Sequence, residues 1–397
     1  MPYRILYYSP NPNLNLSDPA GYGRHMREMI AAFRRGGDEV LPVIAGGTEL
    51  RDNSGESNRQ KPWKKFLQAV VPEILWGTAK DIRLRRFDNK FRVKLIRTIQ
   101  DFKPDLLYER TNTMQNSGLR AAMETGCKYF IEVNAPYLEE RITLDFPSLM
   151  LPKAGLIFSQ QIESAERTFV VSAALKKLLL ANHAVPPESI IVTPNAVNPN
   201  DQVTRSADAI RFHEERKSRG ETVIGFVGSI FPWHGVDLLV NVFCKLLEEK
   251  PGSAIHLLLV GDGVVLPDLR ALSASLGKSA SITFTGNVPH DEVFGWLDAI
   301  DIAVMAKSNW YGSPVKIFEY GLMKKAIVAP DVGPVREVMI SGEDGILVKP
   351  EIEMLRDALK KFLDFPDDRR RMAENFHKKV LEKHTWDANV GKVIDEI

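Results

Sequence analysis

Short runs of aliphatic and β-branched residues alternate with longer amphipathic stretches from one end of this chain to the other. That alternation builds parallel sheets with helices on both faces. The runs 5–9, 39–44, 105–108, 129–133, 168–171 and 190–193 predict the strands of a first α/β region. After the first of them, Met26, Met29, Ile30 and Phe33 recur at the i, i+3, i+4, i+7 spacing of one helix face. Residues 195–221 are polar and hold no sustained strand pattern, which predicts a connection between domains. A second series then predicts strands at 223–227, 255–260, 282–285, 302–305 and 327–329, with an amphipathic helix at 236–247. No short period repeats, so a solenoid does not fit.

A length of 397 residues supports two such domains at about 100–200 residues each. The chain is 44% hydrophobic and 26% charged, the balance of a folded soluble protein rather than a disordered one. Fifty-two Lys+Arg against fifty-one Asp+Glu leave a net charge of +1, which argues against a nucleic-acid partner. Cys127 and Cys244 sit in separate apolar stretches and read as reduced thiols, too few for a metal site. The start, MPYRILYYSPNP, lacks the features of a secretory signal, and no run approaches about eighteen apolar residues. These point to a cytoplasmic protein without a membrane span. One region stands apart: residues 51–103 hold fourteen Lys/Arg and six acids, interleaved with Trp63, Phe66, Leu67, Val70, Val71, Ile74, Leu75 and Trp76. It reads either as a surface for anionic membranes or as a solvated basic face over a packed insertion.

Doubly wound sheets bind ligands beyond the C-terminal ends of their strands, so the residues there carry the candidate chemistry. Gly228 and Ser229 follow one strand and lead through His234 and Gly235 into a helix, a turn that admits an anion to backbone amides or serves only as a turn. Gly261, Asp262 and Gly263 follow the next strand, with the same two readings. In NWYGSPVKIFEYGL, Ser313 is placed to cap a helix whose first turn holds Pro314, and Lys316 and Glu319 share a side at i, i+3. There an ammonium and free amides meet phosphate oxygens while a carboxylate accepts ribose hydroxyls; the alternative is a surface ion pair. Gly21, Tyr22 and Gly23 precede the first helix, but the long loop before them and the missing ribose acid disfavour a nicotinamide site. Glu132, Asn134 and Tyr137 lie at the end of another strand. No D-x-D pair, Cys/His ligand spacing, phosphate-binding G-x-x-x-x-G-K-[ST] loop or G-x-S-x-G elbow occurs, so neither a metal nor a cofactor is expected.

The stretches GYGRHMREMIAAFRRGGDEV, FVVSAALKKLLL with IIVTPNAV, FVGSIFPWHGVDLLV, LLLVGDG, ITFTGNVP and SPVKIFEYGLMKKAIVAPDVGPVREVMISGEDGILV follow one another in order over most of the chain. Together they resemble the retaining glycosyltransferases of family 4, of GT-B architecture. The resemblance implies an α/β fold of two doubly wound, Rossmann-like domains facing a central cleft. The N-terminal, acceptor-side domain would span 1–198, completed by a C-terminal helix at about 384–397, and the donor domain 199–383. It implies a nucleoside-diphosphate sugar as donor, with Glu319 on the ribose and Val288 and Pro289 beside the base. Gly228, Ser229, Gly261, Asp262, Tyr311, Gly312, Ser313 and Lys316 would surround the sugar diphosphate, and Gly21, Tyr22 and Gly23 would close over it.

Four positions depart from the family pattern. The first of its two glutamates falls at Tyr311, its diphosphate-holding arginine and lysine fall at Ser229 and His234, and its histidine beside the reacting sugar falls at Asn134. Lys316, His234 and Asn134 are therefore the catalytic candidates. The implied activity is metal-independent transfer of a hexose-type sugar, with retention, to a cell-surface glycan or lipid-linked acceptor at the inner face of a membrane. A nucleotide-sugar epimerase and a non-catalytic nucleotide-sugar-binding protein are the rival readings.

Overall fold

Among the described residues, twelve short segments pair into two sheets, and every paired strand runs parallel to its neighbour. The structure is a computed structural model that describes residues 2–18, 20–49, 71–201 and 203–397. The chain divides into two compact units, Met1–Pro194 with Asn389–Ile397, and Asn195–Ala388.

In the first unit, β1 (Arg4–Ser9), β2 (Glu39–Ile44), β3 (Leu106–Arg110), β4 (Tyr129–Val133), β5 (Arg167–Val170) and β6 (Ile190–Val192) form a sheet in the order β2-β1-β3-β4-β5-β6. All five residues of β3 and all five of β4 are buried, as expected of strands covered on both faces. Helix Gly21–Arg35 buries Met26, Met29, Ile30 and Phe33, the face its periodicity predicts. The last residues of the chain fasten to this sheet's edge. Asn389 Nδ2 donates to the Pro194 carbonyl at 2.7 Å, and Lys392 Nζ to the Val192 carbonyl at 3.2 Å.

In the second unit, β7 (Thr222–Val227), β8 (Ile255–Val260), β9 (Ile282–Gly286), β10 (Ile302–Val304), β11 (Ala326–Pro330) and β12 (Ile346–Val348) take the order β12-β11-β10-β7-β8-β9. This is the Rossmann order, with its switch point between β7 and β10. Successive residues of β8 serve opposite cores: Leu257 and Leu259 pack with Phe243, Leu359 and Phe362, while Leu258 and Val260 pack with Phe318, Tyr320 and Phe376.

Two expectations are corrected here. The polar stretch 195–221 contains the helix Ala207–Ser218, capped by the Ser206 hydroxyl, which buries Ala209, Phe212 and Arg216. So few apolar residues amid charges leave its periodicity faint, and packing of Phe212 on Trp296 and His256 supplies what propensity does not. The sixth strand, β12, also escapes the pattern, because three residues pairing with β11 are too short to show alternation. Where the backbone enters and leaves the second unit, Val197 N–H donates to the His384 carbonyl at 3.1 Å and Trp386 N–H to the Val197 carbonyl at 3.2 Å.

Candidate active site

The ends of β7 and β8 meet through glycine. Gly228 has φ +132° and Gly261 φ +126°, conformations that side-chain-bearing residues rarely adopt. A Cβ on Gly261 would lie 2.2 Å from the Gly228 carbonyl oxygen, and one on Gly228 would lie 2.3 Å from Cε of Lys316. The lysine stem thus rests on the glycine turn. Its ammonium stands 5.5 Å from the centre of the Phe226 ring, and no described residue forms an ion pair with it. Burial lowers the Lys316 pKa, with the Glu319 carboxylate opposing the shift.

From the same turn, residues 232–234 form a short 3-10 helix that presents His234. Its Nδ1 lies 2.6 Å from the Ser229 carbonyl oxygen. A carbonyl only accepts, so Nδ1 carries the proton and Nε2 keeps a lone pair. Burial and the Lys316 charge push the imidazole down to about 4 against that bond, so it is neutral at pH 7.

Across the switch point, the segment after β10 leads to Asn309. Its Oδ1 accepts the Gly312 N–H at 2.5 Å and the Tyr311 N–H at 3.3 Å, an Asx-type turn. Sequence reasoning passed over Asn309, although an asparagine shortly before a glycine turn signals such a bond. Ser313 behaves differently from its expected role as a helix cap. Its hydroxyl accepts from the Asn195 backbone N–H at 2.9 Å and its carbonyl from Asn195 Nδ2 at 2.6 Å. The helix Val315–Leu322 begins after Pro314, at φ −77° and ψ 112°, with no side-chain cap.

Trp233, His234, Asn309, Gly312, Ser313 and Lys316 line one cavity of about 160 Å³ at the switch point. Tryptophan also marks its surroundings: Trp233 is 62% exposed and stacks on Phe231 at 4.6 Å, and half-exposed Trp310 meets Tyr311 edge-on at 5.3 Å. Val288 and Pro289 line a separate cavity of about 430 Å³, beside Phe212 and Trp296. Asp262 is exposed and its carboxylate accepts the Gly263 N–H at 2.7 Å, while its carbonyl accepts the Ile230 N–H at 2.8 Å. Glu319 lies half-buried one helical turn beyond Lys316. Next to it, the buried Tyr320 hydroxyl accepts the Val227 N–H at 3.1 Å, which ties this helix to β7.

The candidates of the first unit fall in another constellation. Asn134 Nδ2 donates to Glu132 Oε1. The same buried carboxylate meets Arg110 at 2.6 Å, His25 Nε2 at 2.9 Å and the Tyr108 hydroxyl at 3.0 Å. Burial opposes ionisation of Glu132, but His25, Arg110 and Asn134 outweigh it and hold the carboxyl well below the ordinary range. His25 and Arg110 were not foreseen: they come from distant parts of the sequence, and only the parallel register of β3 beside β4 brings Arg110 to Glu132. Gly21, Tyr22 and Gly23 form the first turn of helix Gly21–Arg35, where the Tyr22 hydroxyl donates to the Asp18 carboxylate. A Cβ on Gly23 would lie 2.2 Å from the Asp18 carbonyl oxygen, so this glycine is required by packing.

The sequence model described as Glycosyltransferase Family 4 matches residues 19–201, and the one described as Glycosyl transferases group 1 matches residues 221–364. An alpha-D-kanosaminyltransferase of Streptomyces kanamyceticus is 29% identical over 154 residues, 38% of this chain and 39% of that protein. A D-inositol 3-phosphate glycosyltransferase of Nocardia farcinica is 34% identical over 160 residues, 38% of this chain and 35% of that protein. The match thus spans well under half the length of these curated relatives. Among solved structures, Anabaena HepE in complex with UDP superposes with a TM-score of 0.73 at 15% identity, over 99% of this chain and 100% of that one. Sucrose-phosphate synthase from Thermosynechococcus elongatus gives 0.71 at 15% identity, over 100% and 99%.

Proposed function

Because this chain belongs to the glycosyltransferases of family 4 and has the GT-B fold, we propose that it transfers a sugar, with retention and without a metal, from a nucleoside diphosphate to a glycan or lipid-linked acceptor. The product would be a cell-surface polysaccharide or glycoconjugate. One observation carries the reading: a half-buried ammonium, Lys316, lies against a glycine turn at the switch point of a Rossmann-ordered sheet with no anionic partner in ion-pair contact among the described residues. A diphosphate supplies that partner.

The chemistry follows from where charge develops. As the bond from sugar to phosphate breaks, negative charge grows on the leaving diphosphate, and groups fixed beforehand stabilise it without reorganising. Lys316 is held by Gly228 and Phe226. Neutral His234 offers Nε2, which takes up a proton as the anion arrives. The Gly312 and Tyr311 amides, now engaged by Asn309, turn to phosphate oxygens when that side chain gives way. Glu319 receives the ribose hydroxyls and the loop at Val288 and Pro289 borders the base. HepE was solved with UDP, with UDP and glucose, and with UDP-glucose, which supports a uridine nucleotide as the first donor to try.

Thermal melts with UDP, GDP, ADP and their sugars test this. A nucleotide at ~100 times its Kd stabilises the fold by about 2.7 kcal/mol. The shift should vanish in Glu319→Ala; an equal shift in mutant and wild type removes the site from this helix. Tyr311, at the position of the family's first glutamate, favours one rival, a protein that binds donor without turning it over. Release of nucleoside diphosphate in the presence of acceptor tells the two apart.

A further inference from the structure

The helix Glu73–Phe102 runs for thirty residues along the first unit, and its charges are sorted by side. Asp81 and Asp88, the two acids in its interior, are both buried. Asp81 pairs with buried Arg141 at 3.0 Å. Asp88 pairs with Arg85 at 3.0 Å and also accepts the N–H groups of Asn116 and Ser117, at the start of helix Ser117–Thr125, at 3.2 Å each. With both of these carboxylates committed inward, cations and aliphatics predominate on the outward side, beside the polar Asn89 and Gln100 and one exposed acid, Asp101, near the end of the helix.

Arg83, Arg86, Lys90 and Arg97 are exposed on that side, and among the described residues no carboxylate pairs with any of them. At 3.6 residues per turn, Leu75, Ile82, Arg86 and Val93 fall along one line, with Lys90 and Arg97 on its flank. Leu75, Ile82 and Val93 are exposed, whereas Gly77, Leu95 and Ile99 on the opposite side are buried. The aliphatic patch continues beyond the helix. Leu149 N–H donates to Thr78 Oγ1 at 3.0 Å, Lys80 Nζ bonds Asp145 at 2.5 Å, and a Cβ on Gly77 would lie 2.1 Å from the Pro147 carbonyl oxygen. The segment so fastened brings Leu144, 79% exposed, and Leu149, 64% exposed, to the Leu75 end of the helix.

We propose that this side of the first unit docks on an anionic lipid surface, with Arg83, Arg86, Lys90 and Arg97 at the headgroups and Leu75, Leu144 and Leu149 entering the interface. Long cationic side chains along an aliphatic line, with Asp81 and Asp88 withdrawn, match a bilayer of negative headgroups over hydrocarbon. Solvent alone does not explain the exposed leucines beside so large an excess of cations. The inference deepens the proposed function and rests on it for the idea that the acceptor is membrane-borne; its geometry stands on the helix itself.

Flotation of the full chain with vesicles tests it, using phosphatidylcholine alone and phosphatidylcholine mixed with phosphatidylglycerol. The wild type should float with the anionic vesicles and not with the neutral ones. Each cation near such a surface is worth about fivefold, so Arg83→Gln, Arg86→Gln, Lys90→Gln and Arg97→Gln combined should weaken binding by about 10²–10³-fold. Leu75→Ser, Leu144→Ser and Leu149→Ser combined should leave binding at low salt and abolish what persists at high salt. All seven residues are exposed, so unchanged melting temperatures serve as the folding control. A wild type that ignores anionic vesicles, or a four-cation variant that floats like it, overturns the proposal. A self-association that the same variants abolish, without vesicle binding, also overturns it and gives the face to a second copy. Nucleotide melts on the same variants should match the wild type. If flotation succeeds while nucleotides leave the melt unmoved, the donor reading fails and this one stands.

Discussion

Beneath the strand ends of the first unit lie Glu109, Arg110 and Glu132, all buried, with Asp81, Asp88 and Arg141 buried nearby in the same unit. At the strand ends of the second lie Gly228, Gly261 and Gly286, each with positive φ, and two lysines, Lys307 and Lys316, neither in an ion pair among the described residues. One sheet uses its interior charges to hold its own strands and helices together. The other buries fewer charges, Arg216 and Asp344 among them, and leaves Lys307 and Lys316 without an ion pair among the described residues. A buried ion pair that is complete fixes structure and has little left to give to a substrate. A cation propped on a glycine turn is the reverse, costing stability until an anion arrives.

The contrast is easiest to break at Glu132. Glu132→Ala strands Arg110 in the interior, and urea unfolding should show a loss of about 3–5 kcal/mol. If the loss is under 1 kcal/mol, the cluster is not what holds the first sheet. Lys316→Ala should do the opposite, leaving stability near wild type or better while donor turnover falls by about 10²–10³-fold. A variant that unfolds instead makes Lys316 a structural residue.

Smaller effects sharpen the picture. Burial pushes the Glu109 carboxyl up to about 8, against hydrogen bonds from Tyr129 and Gln161. Between 4.5, its ordinary value, and about 8 the unfolded chain has released that proton and the folded one has not, so stability should fall as pH rises through this window. The slope is at most about 1.4 kcal/mol per pH unit and should disappear in Glu109→Gln, measured by denaturation at several pH values. His234 works through the ligand. A bound diphosphate raises its pKa from about 4, so a nucleotide sugar should bind more tightly as pH drops from about 7 towards 5, by less than about tenfold. Calorimetry in buffers of different ionisation enthalpy should register proton uptake, absent in His234→Ala.

This difference between the units also decides how far the sequence could be read. A site made of backbone announces itself, because positive φ and close approach demand glycine directly after a strand; Gly228 and Gly261 stood out for that reason, and Lys316 followed from its place on the helix after β10. A site made of buried side chains leaves no such mark. Glu132 was visible at the end of its strand, but Arg110 meets it through sheet register and His25 through the packing of helix Gly21–Arg35, neither of which local spacing encodes. The same applies to Asp81 and Asp88. Counted along the sequence they merely dilute a basic region, and only the helix turned in three dimensions shows them withdrawn from its outer side. Part of that region, including Trp63, Lys64 and Lys65, lies outside the described residues.

The backbone pairing at Val197 has a consequence for how the chain is made. It laces the segment entering the second unit to the segment leaving it, so 195–388 forms a loop closed at its own neck. A ribosome delivers every residue of that loop before the final turns that fasten to β6 and complete the first unit. The second unit can therefore mature while the first still waits for its closing piece, and synthesis from front to back yields folding that finishes from the middle outward. The meeting of the two ends also makes 195–388 the natural stretch to excise as a free-standing protein.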